Sequence, residues 1–191
     1  IKVFNSQGYK LSDELEQRVE EKILSDAPMK SCVGGEIGRR LPGTEKLHAA
    51  YIDHLASTIS SDLSGLRLLV DCANGAASAT APELFARFQA KTDFIHTQPD
   101  GININNHCGS THLEDLAASV VRGGYDLGIA FDGDADRCLL VDEKGQTIDG
   151  DKVMAVCATD MKRRGHLQGD AIVATVMSNL GFIKFMESQG I

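Results

Sequence analysis

Apolar positions along this chain recur at two periods, and the change from one to the other divides it. Leu15, Val19 and the Ile23–Leu24 pair return at helical spacing behind Asp13, which with Glu16 reads as a capping box. A short strand at 1–4 and a turn at Gly8 are expected ahead of that helix. Residues 25–43 lack periodicity and contain Pro28, Gly34, Gly35, Gly38, Pro42 and Gly43, so they should connect. Thr44 then caps a second predicted helix whose apolar stripe is Leu47, Tyr51, Ile52, Leu55 and Ile59. The polar run 61–65 is the best candidate boundary.

From Leu66 the texture is one of short apolar runs separated by amphipathic stretches. It predicts strands at 66–71, 92–96, 126–131, 138–142 and 171–175. Helices are predicted from the Ala73–Ala76 turn through Leu84 and Phe88, then at 113–121, 153–164 and 180–188. Strands alternating with helices predict an α/β fold, a mixed, largely parallel sheet flanked by helices.

Charge sharpens this picture at one place. The sum of 19 basic and 27 acidic residues is −8, which argues against a nucleic-acid groove or an anionic membrane surface as the main partner. Eight acids (Asp126, Asp132, Asp134, Asp136, Asp142, Glu143, Asp149 and Asp151) face only Arg137 and Lys144 between residues 126 and 151, so most of the excess is local. No apolar run approaches the ~20 residues of a membrane-spanning helix. Five cysteines, odd in number and never in a CxxC pair, suit reduced thiols in a cytoplasmic protein better than a disulfide framework or a zinc site. The chain opens on Ile-Lys-Val without an initiator Met or a signal-peptide pattern, so it is expected to be a piece of a longer protein.

The local acidity centres on Asp132-Gly-Asp-Ala-Asp-Arg137, between the third and fourth predicted strands. The end of an apolar strand is where open α/β sheets place their ligands. Carboxylates at alternate positions can converge on one ion if the backbone curls, and Gly133 and Ala135 are small enough to permit it. Two carboxylates ~4 Å apart repel by roughly 4 kcal/mol at an effective dielectric of about 20, so Asp132, Asp134 and Asp136 together call for a cation. Oxygen donors alone suit Mg²⁺ better than zinc, and the adjoining Arg137 suits a phosphate. The bland alternative is a solvated acidic loop. An EF-hand is disfavoured, because Arg137 stands where that loop requires Gly and the flanks are apolar strands.

The same residues, with Gly8-Tyr-Lys-Leu, Val70-Asp-Cys-Ala-Asn-Gly-Ala76, Gly101-Ile-Asn-Ile-Asn105, Gly109-Ser-Thr-His112, Asp149-Gly-Asp151 and Thr175-Val-Met-Ser-Asn-Leu-Gly181, resemble the α-D-phosphohexomutase superfamily over nearly the whole chain. Gly-Ser-Thr-His is similar to its glucosamine branch, whereas phosphomannomutases more often carry an Asn-His-His-Pro type sequence there. The resemblance implies a four-domain enzyme that moves a phosphoryl group between O6 and O1 of a hexosamine phosphate through a phosphoserine and a bisphosphate intermediate. It implies Mg²⁺ held by Asp132, Asp134 and Asp136, Arg137 as the phosphate-facing catalytic cation, and Ser110, Thr111 and His112 near the substrate. It also implies a cytoplasmic setting and a homodimeric parent.

By the same resemblance, 1–62 would complete domain one, 63–165 would form domain two with the metal loop, and 166–191 would open domain three. The family's Ser-His-Asn-Pro phosphoserine loop and its sugar-selecting Glu-x-Ser-Gly-His loop are absent, so this chain alone is expected to be inactive. A non-catalytic, divalent-metal-dependent sugar-phosphate binding module, or a phosphomannomutase or phosphoglucomutase, is the alternative. Ser110-Thr-His112 has a plain reading as well, with Thr111 capping the next helix in a box with Glu114. Asn74-Gly75 and Asp149-Gly150 read as turns. His48, His54, His96, His107 and His166 have no partners at ligand spacing and are expected in surface or packing roles.

Overall fold

The structure is a computed structural model and describes residues 3–25, 31–39, 44–61 and 63–191. It falls into two compact units, Ile1–Pro42 and Gly43–Ile191.

In the first unit, Phe4 and Lys10 form an isolated antiparallel bridge around a turn at Asn5–Gly8, where Asn5 Oδ1 accepts from the Gln7 and Tyr9 amides at 2.9 and 3.1 Å. This is all that is described of the strand expected at 1–4, since residues 1 and 2 lie outside the described set. Helix α1 (Asp13–Leu24) is capped by Ser12, one residue ahead of the expected cap, with Ser12 Oγ accepting from the Leu15 amide. Asp13, Glu14 and Glu16 occupy its first turn, where they favour the positive end of the helix dipole. None of its residues is buried.

The second unit opens on α2 (Thr44–Ser57); the Thr44 side chain, expected to cap it, is not described. Ile52 is the fully buried member of the α2 stripe, while Leu47 and Tyr51 are exposed. A five-stranded sheet follows: β1 (Arg67–Asp71), β2 (Lys91–Ile95), β3 (Leu127–Phe131), β4 (Cys138–Asp142) and β5 (Thr147–Ile148), in spatial order β2-β1-β3-β4-β5. β1 pairs parallel with β2 and β3, and β4 runs antiparallel to β3 and β5. The mixed α/β sheet predicted from the alternation is therefore present.

Crossovers α3 (Ala77–Phe85) and α4 (Glu114–Gly123) cover opposite faces. Alternation along β1 shows it: Leu69 packs with Leu116, Val120, Ala130 and Val141 under α4. Val70 and Cys72 point the other way, to Ala77 and Ala81 of α3. The chain moves from β1 outward to β2, then returns past β1 to β3, so the winding direction reverses between β1 and β3. In open α/β sheets ligands bind at the carboxyl ends of the strands where such a reversal occurs.

α5 (Gly150–Arg163) and α6 (Leu180–Ser188) share a separate cluster of Ala158, Phe182 and Met186. Asp149 caps α5 by accepting from the Lys152 amide at 2.9 Å, so the expected turn is also a cap. The strand expected at 171–175 does not form; those residues are irregular, and Val173 is 98% exposed. A strand needs a neighbour's N–H and C=O groups, and none of the described strands lies beside it. No helix among the described residues is long and apolar enough to cross a membrane.

Candidate active site

Three loops meet at the carboxyl edge of β1 and β3. The first, 72–76, leaves β1; the second, 104–112, precedes α4; the third, 132–137, joins β3 to β4. Backbone bonds tie them together: Ala76 N donates to Gly133 O at 2.9 Å, and Asn105 N to Ala73 O at 3.0 Å. Contact is close enough to demand glycine at two points. A side chain on Gly75 would overlap the Gly133 carbonyl, and one on Gly109, whose φ is +71°, would overlap the Phe131 carbonyl and Ala73. Among the described residues, eight non-glycine residues have left-handed backbone; Ala73, Asn74, Asn105, His107 and Ala135 lie on these loops, and His96 follows the carboxyl end of β2. Such strain persists only where surrounding contacts enforce it, and it gathers at functional sites.

The aspartate loop is a tight connection between antiparallel strands, closed above the Phe131–Cys138 pair by Asp132 N donating to Arg137 O at 3.3 Å. Ala135 takes φ +59° and supplies the curl that the alternating carboxylates require. Asp132, Asp134 and Asp136 accordingly each offer an oxygen, all within 4.8 Å of one another. At that separation two full charges repel by roughly 3 kcal/mol at an effective dielectric of about 20. Asp132 is 2% exposed, whereas Asp134 and Asp136 are exposed.

Arg137 holds Asp132 twice, through its backbone N to Oδ1 at 3.1 Å and its Nε to Oδ2 at 2.7 Å. Burial pushes the Asp132 carboxyl up, but the side-chain and backbone hydrogen bonds and the charge of Arg137 outweigh it, leaving the group below the usual aspartate value. The guanidinium is raised in turn, first by its hydrogen bond to Asp132 and then by that residue's charge. Its side chain is 67% exposed and Nε engages Asp132, so its two terminal NH₂ groups stay available to an anion. The three aspartates and Arg137 are thus brought together as expected from the motif.

Ser110, Thr111 and His112 lie on the second loop, in and just after a single 3₁₀ turn, Gly109–Thr111, that packs against β3. The Thr111–Glu114 capping box does not form. Leu113 occupies the position before α4 and no side chain caps it, because Thr111 is committed to the tighter turn. The His112 ring instead lies beside that of His107, centroids 5.4 Å apart and planes tilted by 52°.

The residue that sequence reasoning missed is Asp71. It is fully buried at the end of β1, and Oδ1 accepts from the Ala73 amide and Oδ2 from the Gly109 amide, both at 2.8 Å. It therefore latches the second loop to the sheet. His96, expected in a surface or packing role, lies between two carboxylates: Nδ1 is 3.1 Å from Asp71 Oδ2 and Nε2 is 3.6 Å from Asp115 Oδ2. The one signal was an aspartate ending an apolar strand.

Comparison with known proteins agrees with this architecture. Residues 49–145 match the family model for phosphoglucomutase/phosphomannomutase, alpha/beta/alpha domain II, and residues 149–191 match that for domain III. The whole chain aligns with the phosphoglucosamine mutase of Clostridium kluyveri at 48% identity and with that of Desulforamulus reducens at 50%, covering 43% of each protein. The chain thus spans less than half the length of these relatives. A crystal structure of a phosphoglucomutase/phosphomannomutase family protein from Burkholderia thailandensis superposes with a TM-score of 0.55 at 30% identity, over 62% of this chain and 26% of that one. A domain-II match across more than half of the residues, on a sheet that presents the aspartate loop at its switch point, establishes that the chain belongs to the phosphoglucomutase/phosphomannomutase family.

Proposed function

We propose that this chain is the metal-bearing central part of a phosphoglucosamine mutase, which interconverts glucosamine 6-phosphate and glucosamine 1-phosphate for amino-sugar and cell-wall precursor synthesis. The observation that carries it is the convergence of Asp132, Asp134 and Asp136 within 4.8 Å in a chain about half identical to phosphoglucosamine mutases. That kinship favours glucosamine over the mannose and glucose alternatives, and an enzyme over a non-catalytic binding module.

An all-oxygen donor set fits Mg²⁺, which supplies charge neutralisation at a transferring phosphoryl group when bound. The chain's own contribution is placement. Asp132, Asp134 and Asp136 would hold the ion at the sheet edge, and Arg137, which pairs with Asp132, would offer its terminal NH₂ groups to phosphate oxygens. Ser110, Thr111 and His112 border the same edge and are proposed to contact the sugar phosphate. In the parent, a phosphoserine outside this chain would give its phosphoryl group to the O1 hydroxyl: the Oγ–P bond breaks as the O1–P bond forms, and the serine ends as a hydroxyl carrying the O1 proton. The bisphosphate then turns, and the O6 phosphoryl group returns to Oγ, with the serine proton ending on O6.

The domain division at 62/63 and 165/166 belongs to this proposal. The domain-III match starting at residue 149, and the packing of α5 on α6, favour placing the second boundary before α5. A cytoplasmic, homodimeric parent completes the reading. It is tested by joining this segment to the remainder of its gene product and assaying glucosamine 6-phosphate turnover with Mg²⁺. Activity that falls at least a hundredfold in Asp134→Asn supports the proposal, and a parent without mutase activity overturns it.

A further inference from the structure

We propose that Asp71, His96 and Cys108 form a second metal site that takes a borderline-soft divalent cation of the Zn²⁺ class. It is separate from the aspartate loop and does not depend on the function proposed above. The three residues end β1, follow β2 and open the 3₁₀ turn of the second loop, and one oxygen, one nitrogen and one sulfur come within 4.8 Å of one another. A mixed oxygen, nitrogen and sulfur set selects Zn²⁺ or Co²⁺ over Mg²⁺. A tetrahedral ion with ligands at about 2.0–2.3 Å spaces them roughly 3.3–3.8 Å apart, so no pair has to close by more than about 1.5 Å on binding.

The surroundings of each residue are those that metal ligands require. His96 turns Nε2 towards Asp115 Oδ2 at 3.6 Å, the carboxylate–histidine relation that fixes which ring nitrogen faces the ion. Asp71 is oriented by the Ala73 and Gly109 amides. Asn74 Nδ2 approaches Cys108 Sγ at 3.8 Å. Most telling is His96 Nδ1, which is buried and makes no hydrogen bond although Asp71 Oδ2 lies 3.1 Å away. A plain Asp–His pair would align on that bond, whereas two ligands aimed at a common third point would not. His96 also adopts φ +50°, a conformation enforced where the histidine must face the end of β1.

Asp71 and Cys108 are fully buried, while the His96 side chain is 26% exposed, so an ion enters past the imidazole. On binding, the Cys108 thiol gives its proton to solvent and its sulfur bonds the ion. The ion would clamp the ends of β1 and β2 to the loop carrying Ser110–His112.

The test is a Co²⁺ titration of the metal-stripped chain in excess Mg²⁺. One equivalent of Co²⁺ should produce a near-ultraviolet thiolate-to-cobalt band that Zn²⁺ displaces. The band should vanish in Cys108→Ser, persist in Cys157→Ser, and require roughly tenfold or more Co²⁺ in Asp115→Asn, as expected for a ligand-orienting partner. If Cys108→Ser does not fold, His96→Gln replaces it, and loss of the band again supports the site. A folded wild-type chain that shows no thiolate band, or a band that survives Cys108→Ser or His96→Gln, overturns the proposal.

Discussion

At the residue scale, two side chains show how differently an aspartate can serve one edge of a sheet. Asp132 follows β3 paired to the Arg137 guanidinium, whereas Asp71 ends β1 accepting backbone amides. Asp71→Ala would leave two buried N–H groups unpaired, at a cost of about 2–4 kcal/mol. Asp71→Asn, which keeps an acceptor, should cost less than half of that. Urea unfolding measures both. Asp132, Asp134, Asp136 and Arg137 were legible in the sequence because they are neighbours on one loop. Asp71, His96 and Cys108 were not, because they become neighbours only through strand order. Elsewhere, Tyr125 donates to Asp93 Oδ2 at 2.7 Å, and this hydrogen bond, with burial and the Asp93 charge, raises the phenol above its ordinary value of 10.0 despite nearby Arg67. Because the folded value is raised, its stabilisation is present below pH ~10 and is lost as pH climbs through the raised value. Stability measured across that alkaline window should fall less steeply in Tyr125→Phe than in the wild type.

At the element scale, the carboxyl edge depends on loops packed too closely for side chains. Gly109→Ala forces a Cβ against the Phe131 carbonyl at a left-handed position, and should destabilise the chain by about 2–4 kcal/mol, read as a lowered urea midpoint. The thiols report the same layering. Cys72 lies under α3, and burial together with the Asp71 charge pushes it up to about 12; Cys108 is buried behind the second loop. Iodoacetamide at neutral pH should therefore modify Cys32 and Cys157, which are exposed, and reach Cys72 and Cys108 only after unfolding. Modification of Cys72 at the rate of Cys157 would contradict the packing. Elements with their own periodicity were readable in the sequence, as α4, β3 and β4 show. Pairing with a neighbour is not a local property, which is why the apolar run 171–175 read as a strand and is irregular here.

At the scale of the molecule, the charge excess of −8 argues against nucleic acid or an anionic membrane as partner, yet under the proposed function it serves a phosphate ligand. Much of it sits around a loop whose cation would make it receptive to phosphate. The chain spans 43% of the length of its phosphoglucosamine mutase relatives, and the phosphoserine and sugar-selecting loops that the resemblance implies are not among its residues. The isolated chain should show no turnover of glucosamine 6-phosphate, and measurable mutase activity from it would refute this division of labour. Titrating the folded chain with Mn²⁺, a paramagnetic stand-in for Mg²⁺, shows whether Asp132, Asp134 and Asp136 jointly hold a divalent ion. A single oxygen-ligated site, weaker than micromolar without the phosphoserine, should appear and should disappear in Asp134→Asn while the fold is retained. Binding unchanged in that variant would contradict joint ligation.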